Sequence, residues 1–361
     1  MFKKTFLAVD VGNKNLKAVW GRYNKQELCI LEYDIVKSPD NAIKDGKIID
    51  VEIIVAAIRD IIKRNRIKAH KLIMSISGTG VITREVQLPK SSDGEIENIL
   101  KYDAQQYFPV DLDNYAMDFR VLDDTSLNSD NMCRVLLVAV PLKQADEYMK
   151  IADKLKLDME AIDIPANSIT KLLFGVNNTK TAHFTARNIE EFAVLDIGTD
   201  TTGVYIYQNS RLMFNRILLM GGREIDRYIS NNMEVDFNDA EKIKLERGKI
   251  FSEEEELNES LEDVILCNAM KPAVNNLIID VNRLVDFYIS RSVFGRIQKI
   301  YICGGGSQLG NLDKYIGSYF NVPVEFLHKF LNIEYRGKRS KDEFVRDFVY
   351  MVNVTGALVR G

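Results

Sequence analysis

Two aspartates, Asp10 and Asp196, each close an apolar run, and each is followed two residues later by a glycine, Gly12 and Gly198. The phrases around them, FLAVDVGNKNLKAVW from Phe6 and FAVLDIGTDTTGVYI from Phe192, align without a gap. A carboxylate carried to the end of a buried strand can hold a hydrated cation. Mg2+ keeps several waters and uses few carboxylates, so one aspartate from each phrase suits it. The glycine lets backbone approach a phosphate, and successive amides around such a turn form an anion-binding nest. Asn13 in the first turn and Thr199, Asp200 and Thr201 in the second supply further polar atoms, and Lys17 adds a cation able to reach a phosphate. Two plain hairpins left by a structural duplication would show the same pattern. Matched aspartates at strand ends favour the chemical reading, because a buried carboxylate is costly unless paired or metal-bound.

A third segment fits the same chemistry. Ile300 to Gly310 reads IYICGGGSQLG, an apolar run followed by Gly304, Gly305, Gly306 and Ser307. Glycines there let backbone lie flat against a base or sugar with no side chain between.

These turns need strands to carry them and helices to back the strands. Val51 to Asn65 has helical periodicity in Ile54, Ala57, Ile58 and Ile61, and Lys71 to Ile76 reads as a strand ending in Ser-Gly-Thr-Gly. A stretch without counterpart in the second half follows. It has strands over Val81 to Leu88, Tyr115 to Leu122 and Arg134 to Val140, and helices over Glu95 to Phe108 and Leu142 to Lys154. The polar segment Asp123 to Asn131 reads as a loop, and Tyr107 and Phe108 read as core residues of this insert. In the second half Arg216 to Gly222 leads into a helix from Arg223, and GKIFSEEEELNES reads as a charged surface loop. A long helix from about Asn268 to Phe294 lines up Val274, Leu277, Ile278, Val281, Leu284, Val285 and Tyr288, a face expected to pack on the second sheet. Glu343 to Leu358 reads as one closing helix with Phe344, Phe348, Met351, Val352, Thr355 and Leu358 on its apolar stripe.

With 361 residues the chain is long enough for two domains, and a net charge of −4 carries no nucleic-acid footprint. Apolar runs such as Arg134 to Pro141 are strand-sized, too short to cross a bilayer, and Met1-Phe2-Lys3-Lys4 leads straight into the first strand, leaving no room for a signal peptide. Cys29, Cys133, Cys267 and Cys303 form no CxxC pair and read as reduced core thiols of a cytoplasmic protein, while His70, His183 and His328 make no metal-ligand pattern.

The three glycine-bearing motifs together resemble the actin/Hsp70-type ATPase superfamily, with Asp10 to Lys17 as its first phosphate motif, Asp196 to Thr202 as its second and Gly304 to Ser307 as its adenosine motif. The resemblance implies an α/β fold of duplicated actin-like (ribonuclease H-like) domains around a nucleotide cleft, binding ATP with Mg2+ held by Asp10 and Asp196. Ala240-Glu241-Lys242-Ile243-Lys244 is similar to the A-E-x-x-K helix of the FtsA branch, which places Glu241 and Lys244 beside the ribose and base. The inserted α+β subdomain, called 1C in that branch, carries VITREVQLP, YDAQQYFPVDLDNY and VLLVAVPLKQADEYMKIADKLKLDMEAIDI, which resemble the PilM family of type IV pilus assembly proteins. The implied domains are 1A at 1–80 and 162–190, 1C at 81–161, 2A at 191–229 and 299–361, and 2B at 230–298.

For such a family the resemblance implies a cytoplasmic, ATP-binding scaffold. It binds the N-terminal cytoplasmic tail of a PilN-like bitopic inner-membrane partner, links it to the pilus motor ATPases, and meets the membrane indirectly. A homo-oligomer or ring is compatible with this role. Two departures from relatives matter. No flexible linker precedes Glu343 to Leu358, so this segment is read as the closing helix of the second domain and not as a membrane-binding helix of the FtsA kind. The segment AIDIPANSITKLL, Ala161 to Leu173, lacks the glutamate that precedes Pro-x-Ala in hydrolytic relatives, with Asp163 displaced from that place. Nucleotide binding with slow or absent hydrolysis is therefore expected. A filament-forming, FtsA-like division ATPase is the alternative, and a small-molecule kinase lacks a persuasive base.

Overall fold

The computed structural model describes residues 4–24, 27–123, 132–176, 191–292, 295–327 and 333–360. The expected loop at Asp123 to Asn131, the end of the long helix at Phe294, and His183 and His328 fall wholly or largely outside the described residues. Contacts divide the chain into an N-terminal unit, Lys4–Trp20 with Asp34–Ile164, and a C-terminal unit dominated by Gly21–Tyr33 and Pro165–Gly361.

In chain order the first elements are β1 (Phe6–Val11), β2 (Asn15–Asn24), β3 (Glu27–Lys37), β4 (Ile43–Lys44), β5 (Lys47–Ile48), α1 (Val51–Asn65), β6 (Lys71–Ser75), β7 (Ile82–Pro89), α2 (Asp93–Asp103), β8 (Tyr115–Asp123), β9 (Met132–Pro141), α3 (Leu142–Leu155) and β10 (Asp158–Asp163). The helix α1 begins where the Asp50 side chain accepts from the Ile53 amide at 3.1 Å, buries Ile54, Val55, Ile58 and Ile61, and stops at Arg66 in the left-handed region. The strands β7, β9 and β8 form a separate antiparallel sheet in that order. Ile96 and Leu100 of α2 pack on it beside Leu88, Phe108, Cys133 and Leu137. Sequence periodicity groups residues 142–161 with this insert, whereas in the structure α3 packs on α1 and β10 pairs in parallel with β6. The helix expected to run to Phe108 ends at Asp103 and tightens into a 3-10 turn over Ala104–Tyr107.

The C-terminal unit adds α4 (Pro165–Phe174), β11 (Glu191–Ile197), β12 (Thr202–Gln208), β13 (Arg211–Leu218), α5 (Gly222–Met233), α6 (Phe237–Arg247), α7 (Glu253–Glu256), α8 (Leu261–Ile289), β14 (Lys299–Cys303), α9 (Leu312–Phe320), β15 (Val324–Phe326), β16 (Glu334–Tyr335), α10 (Lys341–Asp347) and α11 (Val352–Ala357). The expected charged loop thus holds one short helix, α7, started by a Ser252–Glu255 capping box. The helix α8 starts at Leu261 because Ser260 caps it, and its buried face, including Val274, Leu277, Ile278, Val281, Val285 and Tyr288, joins a core with Ala193, Leu195, Val204 and Ile302 of the second sheet. Contrary to the reading that no segment could cross a bilayer, α8 is long and apolar enough by length and composition. Half of that window is buried inside the protein, as befits a core helix.

The closing helix expected over Glu343 to Leu358 is broken. The helices α10 and α11 are separated by a 3-10 turn at Phe348–Tyr350, and Met351 leaves helical geometry. All the stripe residues are nevertheless buried. Phe344 stacks face to face on Tyr335 at 4.4 Å, which holds α10 beside β16.

The duplication is visible in the sheets. One runs β10-β6-β1-β2-β3-β16 and the other β15-β14-β11-β12-β13, so the first five strands of each correspond one to one. In both, the strand carrying the aspartate has a parallel neighbour on one side, β6 for β1 and β14 for β11. All four cysteines are buried and free.

Candidate nucleotide-binding half-sites

In the N-terminal unit β1 is buried along its whole length and delivers Asp10 to its C-terminal end, opposite Ser75 of β6. The chain then turns tightly, with the Gly12 amide donating to the Asn15 carbonyl at 3.1 Å. A Cβ on Gly12 would meet that carbonyl oxygen at 2.9 Å and Lys17 Nζ at 3.7 Å, so the glycine is required by the turn and leaves its outer face to backbone. Ser38 Oγ donates to the Gly12 carbonyl at 2.5 Å, and Asn13 is half-buried in the same turn. Lys17 Nζ pairs with Asp10 Oδ2 at 2.8 Å. Beneath them the buried Tyr148 of α3 has its phenol pushed far up, first by burial and then by the Asp10 charge. Asp163 ends β10 in the same register row as Asp10, since both pair with Ser75. With β6 between them the two strands lie about 10 Å apart. The Asp163 carboxylate is drawn back to its own backbone, Oδ1 accepting from the Ile164 amide at 2.9 Å.

The C-terminal unit repeats this geometry. Asp196 ends β11, and the Gly198 amide donates to the Thr201 carbonyl at 2.8 Å. A Cβ on Gly198 would sit 3.0 Å from that oxygen. Two amides of the first turn of α5 then bond the turn's outward carbonyls, Gly222 to Gly198 at 2.9 Å and Arg223 to Thr199 at 2.8 Å. Asp200 pairs with the Arg223 guanidinium, and Thr199 and Thr201 are half-buried.

The adenosine-type segment follows β14, whose Cys303 pairs with Asp196. Gly304 has φ +84, and a Cβ there would lie 2.4 Å from the Ile197 carbonyl oxygen and 2.6 Å from Asp196 Oδ1. Gly304 is thus the one residue type that lets β14 turn against the aspartate. Gly305 and Gly306 continue a 3-10 turn, and the buried Ser307 donates its Oγ to the Gly304 carbonyl at 2.7 Å. Ser307 is a structural cap here, turned into the protein. Lys244 reaches the same region from α6, paired with the buried Asp226 at 2.6 Å and donating to the Gly222 carbonyl at 2.9 Å. Glu241 is half-buried one turn earlier on that helix. Below the site the buried Tyr205 is pushed well up, by burial first and Asp196 second.

Each unit brings together some of the motif residues: Asp10, Gly12, Asn13 and Lys17 in one, and Asp196, Gly198 to Thr201, Gly304 to Ser307 and Lys244 in the other. Sequence reasoning missed Ser38, Tyr148, Asp226 and above all Asn353, whose Nδ2 donates to Asp196 Oδ2 at 2.6 Å. No local motif marks these residues, because each arrives from a distant element. Among the described residues no group of three or more His, Cys, Asp or Glu side chains gathers to hold a metal. On the insert, a cleft of about 480 Å³ is lined by Lys90, Ser91, Ser92, Asp93, Glu95, Val121 and Cys133.

Comparison with known proteins agrees with this architecture. The chain is 21% identical over 289 residues to the cell division protein FtsA of Bacillus subtilis (strain 168), covering 72% of this chain and 62% of that protein, so it spans about three fifths of that relative's length. The solved PilM–PilN type IV pilus biogenesis complex superposes with a TM-score of 0.81 at 17% identity, covering 98% of this chain and 97% of that one. MreB5 of Spiroplasma citri bound to AMPPNP superposes with a TM-score of 0.51 at 15% identity, over 91% of this chain and 93% of that one. These likenesses establish an actin-like fold, and since the model of the type IV pilus assembly protein PilM matches residues 8–360, the chain belongs to the PilM family.

Proposed function

We propose that this protein is a cytoplasmic, Mg2+–ATP-binding scaffold of a type IV pilus assembly machine, recruited to the inner membrane by the tail of a PilN-like bitopic partner and linking it to the motor ATPases. The observation that carries the nucleotide part is the repeated strand–Asp-x-Gly turn, whose glycines sit where a Cβ would strike the turn's own carbonyl oxygen. Glycine in those places lets the turn close on its own carbonyl, so that the amides of the following residues would meet phosphate oxygens. The cradle made by Gly304 against Asp196 fits the same ligand, since it admits a flat group that a side chain would exclude. Asp10 and Asp196 would hold the Mg2+, which supplies charge neutralisation for the phosphates. The remaining positions, Asn13, Lys17, Thr199, Asp200, Thr201, Glu241, Lys244, Gly305 and Gly306, would contact phosphates, ribose or base, with Ser307 shaping the turn.

Family membership and the likeness to the PilM–PilN complex support the partner assignment. In this reading the insert between β6 and α3 borders the tail-binding surface within the domain scheme 1A, 1C, 2A and 2B. Nucleotide binding then changes tail affinity by favouring one domain arrangement. Hydrolysis is slow or absent in this reading, because no glutamate stands where hydrolytic relatives carry one before the Pro-Ala pair and Asp163 is displaced from that place.

The test is calorimetric titration of a synthetic peptide of the partner's cytoplasmic tail, with and without Mg2+–ATP. Tail binding whose affinity changes with nucleotide supports the scaffold. Absence of tail binding, together with rapid ATP turnover and filaments, would establish the FtsA-like alternative instead.

A further inference from the structure

The carboxylate of Asp196 is fixed from two sides, and one of them lies outside every motif of the site. Its Oδ1 faces Gly304, where a Cβ would approach to 2.6 Å. Its Oδ2 accepts from Asn353 Nδ2 at 2.6 Å. Asn353 stands in the first turn of α11, and Val352, Val354, Thr355, Gly356 and Ala357 around it are all buried. Its other polar atom, Oδ1, is buried and meets no hydrogen-bond donor of the protein, while the residue as a whole is half-buried. An acceptor sealed from water and left unpaired destabilises the fold, whereas an apolar side chain in this run would avoid that penalty. Asparagine here is therefore a poor choice for packing and a good one for holding a carboxylate.

We propose that Asn353 is a positioning residue of the second half-site. Its amide fixes the rotamer of Asp196 so that the carboxylate meets the Mg2+ of a bound nucleotide, at some expense to the stability of α11. The proposal rests on the nucleotide reading above.

The test uses the full chain with AMPPNP, titrated in Mg2+ and in EDTA, and with thermal melting in each. Asn353→Ala should melt at the same or a higher temperature than wild type. It should lose about tenfold of its affinity in Mg2+, the scale of one charge-assisted hydrogen bond, with affinity in EDTA unchanged. Asn353→Asp is isosteric and decides the matter if the alanine variant does not fold. Placing a second carboxylate beside Asp196, it should melt lower in EDTA and recover when Mg2+ alone is added. Equal losses in Mg2+ and EDTA would mark a merely structural residue and overturn the proposal. So would a wild-type Mg2+ response in Asn353→Ala, or an Asn353→Asp melting temperature indifferent to Mg2+. Wild-type protein that binds AMPPNP in neither buffer would instead overturn the parent reading, and this proposal with it.

Discussion

Lys17 closes an ion pair of 2.8 Å on Asp10, and both side chains are largely shielded, 20% and 12% exposed. The cation that should meet a phosphate is thus pre-placed against the carboxylate that should meet the metal. Replacing Lys17 by Met should lower nucleotide affinity roughly ten- to hundredfold, the range for a hydrogen bond to a charged group. The loss should appear with and without Mg2+. Asp10→Asn should behave differently, losing the Mg2+-dependent part of binding. Calorimetry in Mg2+ and in EDTA separates the two, and identical profiles for both variants would refute the division of labour.

The hairpin between β4 and β5 locks the loop after β6. Gly46 has φ +70, and a Cβ there would lie 1.7 Å from the Ser77 carbonyl oxygen. The Gly46 carbonyl also accepts from Gln144 Nε2 at 2.7 Å and Tyr148 Oη at 3.0 Å. Gly46→Ala combines a left-handed backbone with an overpacked contact and should destabilise the N-terminal unit by about 2–4 kcal/mol. Urea denaturation measures this directly, and a change below about 1 kcal/mol would show that the loop yields.

Alkaline pH should loosen the attachment of β16 and α10. Tyr335 stacks on Phe344, and its phenol is pushed up to about 12, chiefly by burial. Tyr33, bonded to Asp347 at 2.9 Å, is pushed up as well, again chiefly by burial. A folded-state value above the unfolded one means that the unfolded chain loses its proton first. The contribution is therefore complete below about pH 10 and is lost as pH rises toward 12. Tyr335→Phe should reduce the slope of stability against pH above 10, measured by denaturant titration, while leaving the slope at pH 7 to 9 unchanged.

Asp163 serves as a negative control for catalysis. Its Oδ1 is engaged by the Ile164 amide at 2.9 Å, and it stands two strands from Asp10. A water-activating base needs a carboxylate free to reach the attacking water. Asp163→Asn should leave whatever phosphate release the protein shows unchanged within a factor of about two, whereas a tenfold fall would restore Asp163 as the base.

How much of this could be read in the chain depended on whether the signal was local. The Asp10 and Asp196 turns were legible because a buried strand, a carboxylate and a turn glycine are contiguous. The helix α1 was legible because its apolar stripe and Asp50 cap lie within one segment. The strands β10 and β16 were not legible. The first is a short run whose burial alternates weakly, and the second is two residues held by pairing with Cys29 and Ile30 of β3. The closing helix looked continuous because its stripe is continuous. Nothing in that stripe marks the 3-10 turn at Phe348–Tyr350 that interrupts it, nor the stacking of Phe344 on Tyr335, a residue of a separate element. Asn353 was illegible for the same reason, its partner lying 157 residues away.

The insert offers the sharpest separation of scaffold from nucleotide binding. Its own sheet occupies β7 to β9, whereas α3 and β10 belong with α1 and β6. Removing residues 81–161, the extent that sequence suggests, would strip a strand from the first sheet and unfold the unit. The two ends of the smaller segment are already adjacent, since a Cβ on Gly80 would lie 3.1 Å from Pro141 Cγ. Excising residues 82–140 and rejoining through two glycines therefore leaves the first sheet and Asp10 untouched. The shortened protein should keep nucleotide affinity within about threefold, because no residue of either half-site is removed, yet lose binding of the partner tail. Retained tail binding would move the recognition surface off the insert. Simultaneous loss of nucleotide binding would mean that the insert holds α3 in place, and with it the Gln144 and Tyr148 contacts to Gly46.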